Sequence, residues 1–189
     1  LDALRPALLM LVVVAGVATW GAARVRDGAL TRDGEAVTVG LIQGNVDQGD
    51  KWDDRRASGI FRDYLEMTRR AIRQGAQLVL WPESSTPFYF EEDRPGAEMV
   101  RSIARESKVS IVVGSDQIDR STPPTRYYNA AFMVQPDGST GGVYRKVHLV
   151  PFGEYVPLKG LLFFLGPLVE AVSDFSAGDA AVLLPARGH

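Results

Sequence analysis

Residues 78–85 read Leu78-Val79-Leu80-Trp81-Pro82-Glu83-Ser84-Ser85, a short apolar run closed by a proline and followed at once by a carboxylate. Gln77 to Trp81 has the composition of a buried strand, and Pro82, which has no N–H, ends its ladder. In an open α/β sheet, ligands bind at the carboxyl ends of the strands. Glu83 therefore stands where a catalytic acid or base would stand. Spacing alone leaves a second reading open, that of a loop glutamate in solvent.

Outward from this stretch the pattern is that of alternating strands and helices. Val37 to Gln43 is a β-branched run suited to a strand. Residues 57–73 place Ile60, Tyr64, Met67 and Ala71 on one helical ridge, with arginines on the rest and Gly75 as the stop. A second helix is expected from Gly96 to Ser107 and a third strand from Val109 to Ser115. Asn129 to Gln135 and Gly142 to Val150 flank Pro136-Asp137-Gly138, a turn in which Pro presets φ and Gly accepts a positive φ, so the pair reads as a hairpin. The order implies an α/β sandwich.

Two further segments carry chemical groups. In Tyr144-Arg145-Lys146-Val147-His148-Leu149-Val150-Pro151, strand alternation puts Lys146 mid-strand, either on a solvated face or paired in a cleft where it would stabilise an oxyanion. His148 has no second histidine at metal-ligand spacing. Phe152-Gly153-Glu154-Tyr155-Val156-Pro157-Leu158 puts Glu154 in a tight aromatic loop, fit to hold a carboxylate rigidly as a charge partner for Lys146.

With 21 Lys+Arg against 23 Asp+Glu in 189 residues, the chain has no basic surplus to replace the counterions of a nucleic acid. Zero cysteines exclude a disulfide framework, a thiolate metal site and a cysteine nucleophile within these residues. Pro6 to Ala23 carries no charge and, as a helix of about 1.5 Å per residue, matches the hydrocarbon of a bilayer. A membrane span is the expected reading, with a secretory signal ending at Gly21-Ala22-Ala23, or a buried core helix, as alternatives. Arg5, Arg24 and Arg26 flank the run too evenly to orient it. The expected organisation is a transmembrane helix with flanks over 1–26, a linker over 27–36 and one α/β domain over 37–189.

Glu83 in Trp-Pro-Glu, Lys146 in Tyr-Arg-Lys-Val-His-Leu and Glu154 in Phe-Gly-Glu-Tyr together resemble the nitrilase superfamily, whose αββα sandwich carries a Glu–Lys–Cys triad. Gln43-Gly44-Asn45 followed by Lys51-Trp52-Asp53, the stretch from His148 to Leu158, and the preceding span are similar to one branch, the apolipoprotein N-acyltransferases. The resemblance implies Glu83 as general base, Lys146 as oxyanion stabiliser, Glu154 as the group holding Lys146, and Trp52 as a substrate contact. It also implies acyl transfer from a phospholipid to a lipoprotein's N-terminal diacylglyceryl-cysteine through a thioester, at the bacterial inner membrane with the domain on the periplasmic or outer side. No metal or organic cofactor is implied.

The branch's nucleophilic cysteine would follow the segment matching Ala180–Pro185. A chain that starts at Leu1 and lacks that cysteine is thus expected to be an inactive fragment with an incomplete sandwich. Leu161-Leu162-Phe163-Phe164-Leu165, with Leu168 and Val169, reads as core or as a loop dipping into a membrane surface. Phe88, Tyr89 and Phe90 read as core or as an acyl-chain groove. A secreted amidohydrolase of the same superfamily and a membrane-tethered binding module are the competing readings.

Overall fold

The computed structural model describes residues 4–28, 34–46, 54–157 and 174–186. It divides into two compact units, Leu1–Ala36 and Val37–His189. The first holds helix α1, Leu4–Asp27, 24 residues with no buried side chain and a mean hydropathy of 2.0 over its most apolar 18 residues. An apolar helix with no covered face leaves its whole circumference to be covered by something other than its own unit, and α1 is long and apolar enough to cross a membrane. Thr19, its one hydroxyl near mid-run, donates Oγ1–H to Ala15 O at 2.8 Å, so that group is satisfied within the helix. The core-helix alternative is set aside by this lack of burial.

The second unit is a five-stranded mixed sheet flanked by two helices. Strands β1 (Val39–Leu41), β2 (Leu78–Leu80), β3 (Ser110–Asp119), β4 (Arg126–Val134) and β5 (Thr140–Arg145) lie in that order across the sheet. β1, β2 and β3 are parallel, with Val39 opposite Leu78 and Leu78 opposite Ser110. β4 runs against β3 and β5 against β4, with Gly114 opposite Ala131 and Ala131 opposite Tyr144. All strands but β4 therefore end at the same edge of the sheet.

Helix α2, Asp54–Arg73, packs on β1 and β2; helix α3, Arg94–Ser107, packs on β3 and β4. Both lie on one face. Each owes its limits to local chemistry. α2 stops where Gly75 takes φ +93° and the N–H groups of Gly75 and Ala76 bond back to Ile72 and Ala71. α3 starts where the Asp93 side chain accepts from Gly96 N at 2.7 Å, and stops at left-handed Lys108. Phe61, Leu65, Val100 and Ile103 meet Val79, Ile111, Val113, Phe132 and Val134 in the core, the last five fully buried. Each such side chain contributes about 1.5–3 kcal/mol by leaving water.

One helix layer and one sheet of the expected αββα sandwich are thus present among the described residues, an incomplete nitrilase-like α/β sandwich preceded by the apolar helix. The hairpin forms at Pro136-Asp137-Gly138, where Gly138 has φ +82° and its N–H reaches Gln135 O at 2.8 Å. β5 is shorter than its sequence suggests. It ends at Arg145, and Lys146 is the first residue beyond it rather than a mid-strand residue. Past Arg145 the Lys146 carbonyl accepts from Gly178 N and the Val147 N–H points to the Tyr144 hydroxyl, and further on the Val150 N–H bonds to the Glu154 side chain. Phe90 is 1% exposed against Phe132 and Phe88 stacks edge-on to Phe61, so these two are core aromatics, while Tyr89 stays on the surface. Trp52 and the apolar run from Leu161 to Val169 lie outside the described residues.

Candidate active site

Glu83, Lys146 and Glu154 converge at the common carboxyl edge of the sheet. The Lys146 ammonium donates to Glu83 Oε1 at 2.8 Å and to Glu154 Oε1 at 3.0 Å. Of the two readings of Lys146, solvated or paired, the paired one is realised.

Glu83 is placed by its backbone. After β2, the Ser85 N–H and the Ser85 hydroxyl both bond to Gly114 O, at 2.8 and 2.9 Å. Ser84, held at φ +44°, donates its hydroxyl to Asp116 Oδ1 at 2.9 Å. Gly114 makes the approach possible, because a Cβ there would collide with Pro82 O and stand 2.9 Å from Glu83 Cα. The Trp81 indole N–H bonds to buried Thr68 Oγ1 at 2.8 Å and ties this end of β2 to α2.

Glu154 is placed by its own carboxylate. Oε2 accepts from Val150 N at 2.8 Å, and Oε1 accepts from both Lys146 and Asn129. Lys146 N remains bonded to Asn129 O at 2.8 Å, so leaving β5 does not free its main chain. The segment Asp174–Gly178 stitches the two together: Phe175 N bonds to Glu154 O, Ser176 N to Tyr127 O and Gly178 N to Lys146 O, at 2.9, 2.7 and 2.9 Å.

The electrostatics follow from these partners. Partial burial is the largest influence on Lys146 and pulls its ammonium toward the neutral form, but its hydrogen bonds to Glu83 and Glu154 and their charges hold the pKa above its ordinary value. Burial is likewise the largest influence on Glu154 and favours the acid. The Val150 N–H, the Asn129 amide and Lys146 outweigh it and lower the pKa. The lysine is a fixed cation and Glu154 a fixed anion.

Asn129 was not singled out by sequence reasoning. It is 6% exposed and its Nδ2 donates to Glu83 Oε1 at 2.6 Å and to Glu154 Oε1 at 2.7 Å. The signal was there: a lone amide before the apolar run Ala130 to Val134 must find partners if that run is buried. Glu83 stands between two clefts. One, of about 330 Å³, is lined by Val112, Gly114, Asn129, Ala131, Tyr144 and Lys146 on the sheet face away from the helices. The other, of about 260 Å³, is lined by Gln43, Asn45, Ile60, Tyr64, Ser84 and Thr86. His148 is exposed outside both clefts, and no cluster of potential metal ligands occurs among the described residues.

This strand-end glutamate and second glutamate share one lysine on the sheet of a chain that belongs to the carbon-nitrogen hydrolase family, whose pattern matches residues 38–183. A solved carbon-nitrogen hydrolase from Helicobacter pylori G27 shares the fold, with a TM-score of 0.50 at 18% identity over 77% of this chain and 46% of that one. Within the family the chain is related to apolipoprotein N-acyltransferases. It is 38% identical over 175 residues to that of Geobacter metallireducens, covering 92% of this chain and 33% of the relative. It is 34% identical over 160 residues to that of Rhizobium meliloti, covering 80% of this chain and 30% of the relative. The chain spans about a third of the length of these relatives. These 189 residues contain no cysteine.

Proposed function

We propose that this chain supplies the base and the cation of an apolipoprotein N-acyltransferase, with the nucleophilic thiol provided by sequence outside these 189 residues. The observation that carries the reading is the Lys146 ammonium held between Glu83 and Glu154. Glu83 takes the thiol proton. The thiolate attacks the ester carbonyl of a phospholipid, and Lys146 stabilises the oxyanion, a contribution worth about 3 kcal/mol for a single donor. The lyso-lipid leaves with a proton returned by Glu83. The α-amine of a lipoprotein's diacylglyceryl-cysteine then opens the thioester, its N–H proton passing by way of Glu83 to the departing thiolate as the C–S bond breaks.

Glu154 keeps Lys146 charged and in place, and Trp52 contacts substrate. Residues 1–26 form the membrane segment, 27–36 a linker and 37–189 the partial hydrolase-like domain. The domain works at the outer side of a bacterial inner membrane, where both lipid substrates lie. α1 supports a membrane location, being long and apolar enough to cross a bilayer.

The test compares the 189-residue chain with a longer product of the same gene that contains the first downstream cysteine. Each is incubated with vesicles of acyl-labelled phospholipid. A hydroxylamine-labile acyl label is expected on the longer protein alone, with transfer to a diacylglyceryl-cysteine peptide. Hydrolysis of small amides without lipid acyl transfer would overturn the reading in favour of an amidohydrolase.

A further inference from the structure

We propose that Asn129 is a positioning residue that holds the carboxyl groups of Glu83 and Glu154 side by side and directs proton uptake by Glu83 to its Oε2 atom. The inference rests on the function proposed above and goes further into the same site. Two carboxylates that face one cation would ordinarily compete for a proton, since like charges at short range disfavour double ionisation. Here a second, neutral donor stands beside the lysine. Asn129 Nδ2 carries two hydrogens and gives one to each Oε1, at 2.6 Å to Glu83 and 2.7 Å to Glu154. Lys146 Nζ gives one to each of the same two atoms. The four groups form a closed ring of two donors and two acceptors.

The ring decides where a proton can go. A carboxylate oxygen has two lone pairs, and each Oε1 spends both, one on the amide and one on the ammonium. Glu154 Oε2 accepts from Val150 N at 2.8 Å. Oε2 of Glu83 is the oxygen without a partner in this ring, and the Glu83 side chain is 58% exposed where the Glu154 side chain is 12% exposed. When a thiol or amine gives up its proton, the N–H or S–H bond breaks, the electron pair stays on the nucleophile and the proton settles on Glu83 Oε2. The ring survives the transfer, so Lys146 need not move to meet the oxyanion.

The experiment follows the carboxyl carbons of Glu83 and Glu154 by ¹³C NMR titration of the full 189-residue chain in micelles. Asn129→Asp keeps the shape, removes both donors and adds a third anion. At least one carboxyl midpoint should rise by about two units. Asn129→Leu should raise the Glu154 midpoint by about one unit, a tenfold change in proton affinity. In the unmodified protein both Asn129 side-chain amide protons should shift with the same midpoints as the two carboxylates, a readout that needs no variant to fold.

Carboxyl midpoints within about 0.3 unit of the original in folded variants, or amide protons indifferent to the titration, would overturn the proposal. No lipid takes part. Failure of the acyl-transfer reading would thus show in its own vesicle test while these midpoints still moved, and the reverse.

Discussion

The loops after β2 and after β5 each bring a glutamate to Lys146, and they do it by opposite means. After β2 the main chain is fastened, through Ser85 and Gly114, and the Glu83 side chain is left 58% exposed with an oxygen to spare. After β5 the main chain is fastened by the carboxylate itself, since Glu154 caps Val150 N while it holds Lys146 and Asn129. A carboxylate that exchanges protons must not also be a structural tie, because protonation would then loosen the loop with each turnover. In the function proposed above, the two duties fall to two different glutamates, which removes that conflict.

The comparison can be broken at either loop. The largest effect is expected from Glu83→Gln in a cysteine-containing form of the protein, which should lower the rate of acyl-thioester formation about 10²–10⁴-fold while thermal unfolding stays near wild type. Rapid-quench labelling measures the first and calorimetry the second. A comparable loss of stability would mean that Glu83 is a tie as well.

Gly114→Ala attacks the same loop through its backbone. The new methyl collides with Pro82 O, so about 1–3 kcal/mol of stability should be lost in denaturant melts, with Glu83 displaced.

Glu154→Gln sharpens the other side through pH. Because the folded-state pKa of Glu154 is lowered, its contribution is fully present above the ordinary glutamate value and is lost as pH falls through the folded one. Urea melts from neutral to acid pH should therefore show a shallower loss of stability in the variant than in the wild type. Lys146 has the converse sign: its raised pKa adds stability that persists through neutral pH and disappears only as pH rises through the folded value. The smallest effect belongs to Ser85→Ala, which removes one hydroxyl bond to Gly114 O and should cost about 0.5–1.5 kcal/mol in the same melts.

Much of this was written locally in the chain. Pro82 before Glu83 and Gly153 before Glu154 are punctuation, and punctuation acts within a few residues. The helical ridges over 57–73 and 96–107 reappear as α2 and α3, starting three and two residues earlier, the second where Asp93 caps it. β5 was overextended because Val147, Leu149 and Val150 keep a strand-like composition. Past Arg145 the backbone finds other partners, Gly178 N for the Lys146 carbonyl and the Tyr144 hydroxyl for the Val147 N–H, which composition does not announce. Asn129 was missed for a different reason: its partners lie 46 and 25 residues away, and no periodicity encodes such a distance. Phe90 was given two readings, and only packing against Phe132 separates core from groove.

The lacing of Asp174–Gly178 onto the main chain of Tyr127, Lys146 and Glu154 makes this remote stretch a splint for the charged centre. A protease cut inside it would leave every side chain of the centre in place, yet it would release the carbonyls of both the lysine and its anchoring glutamate. That splint is thus a main-chain tie on the centre, added to those that Ser85 and the Glu154 carboxylate already make.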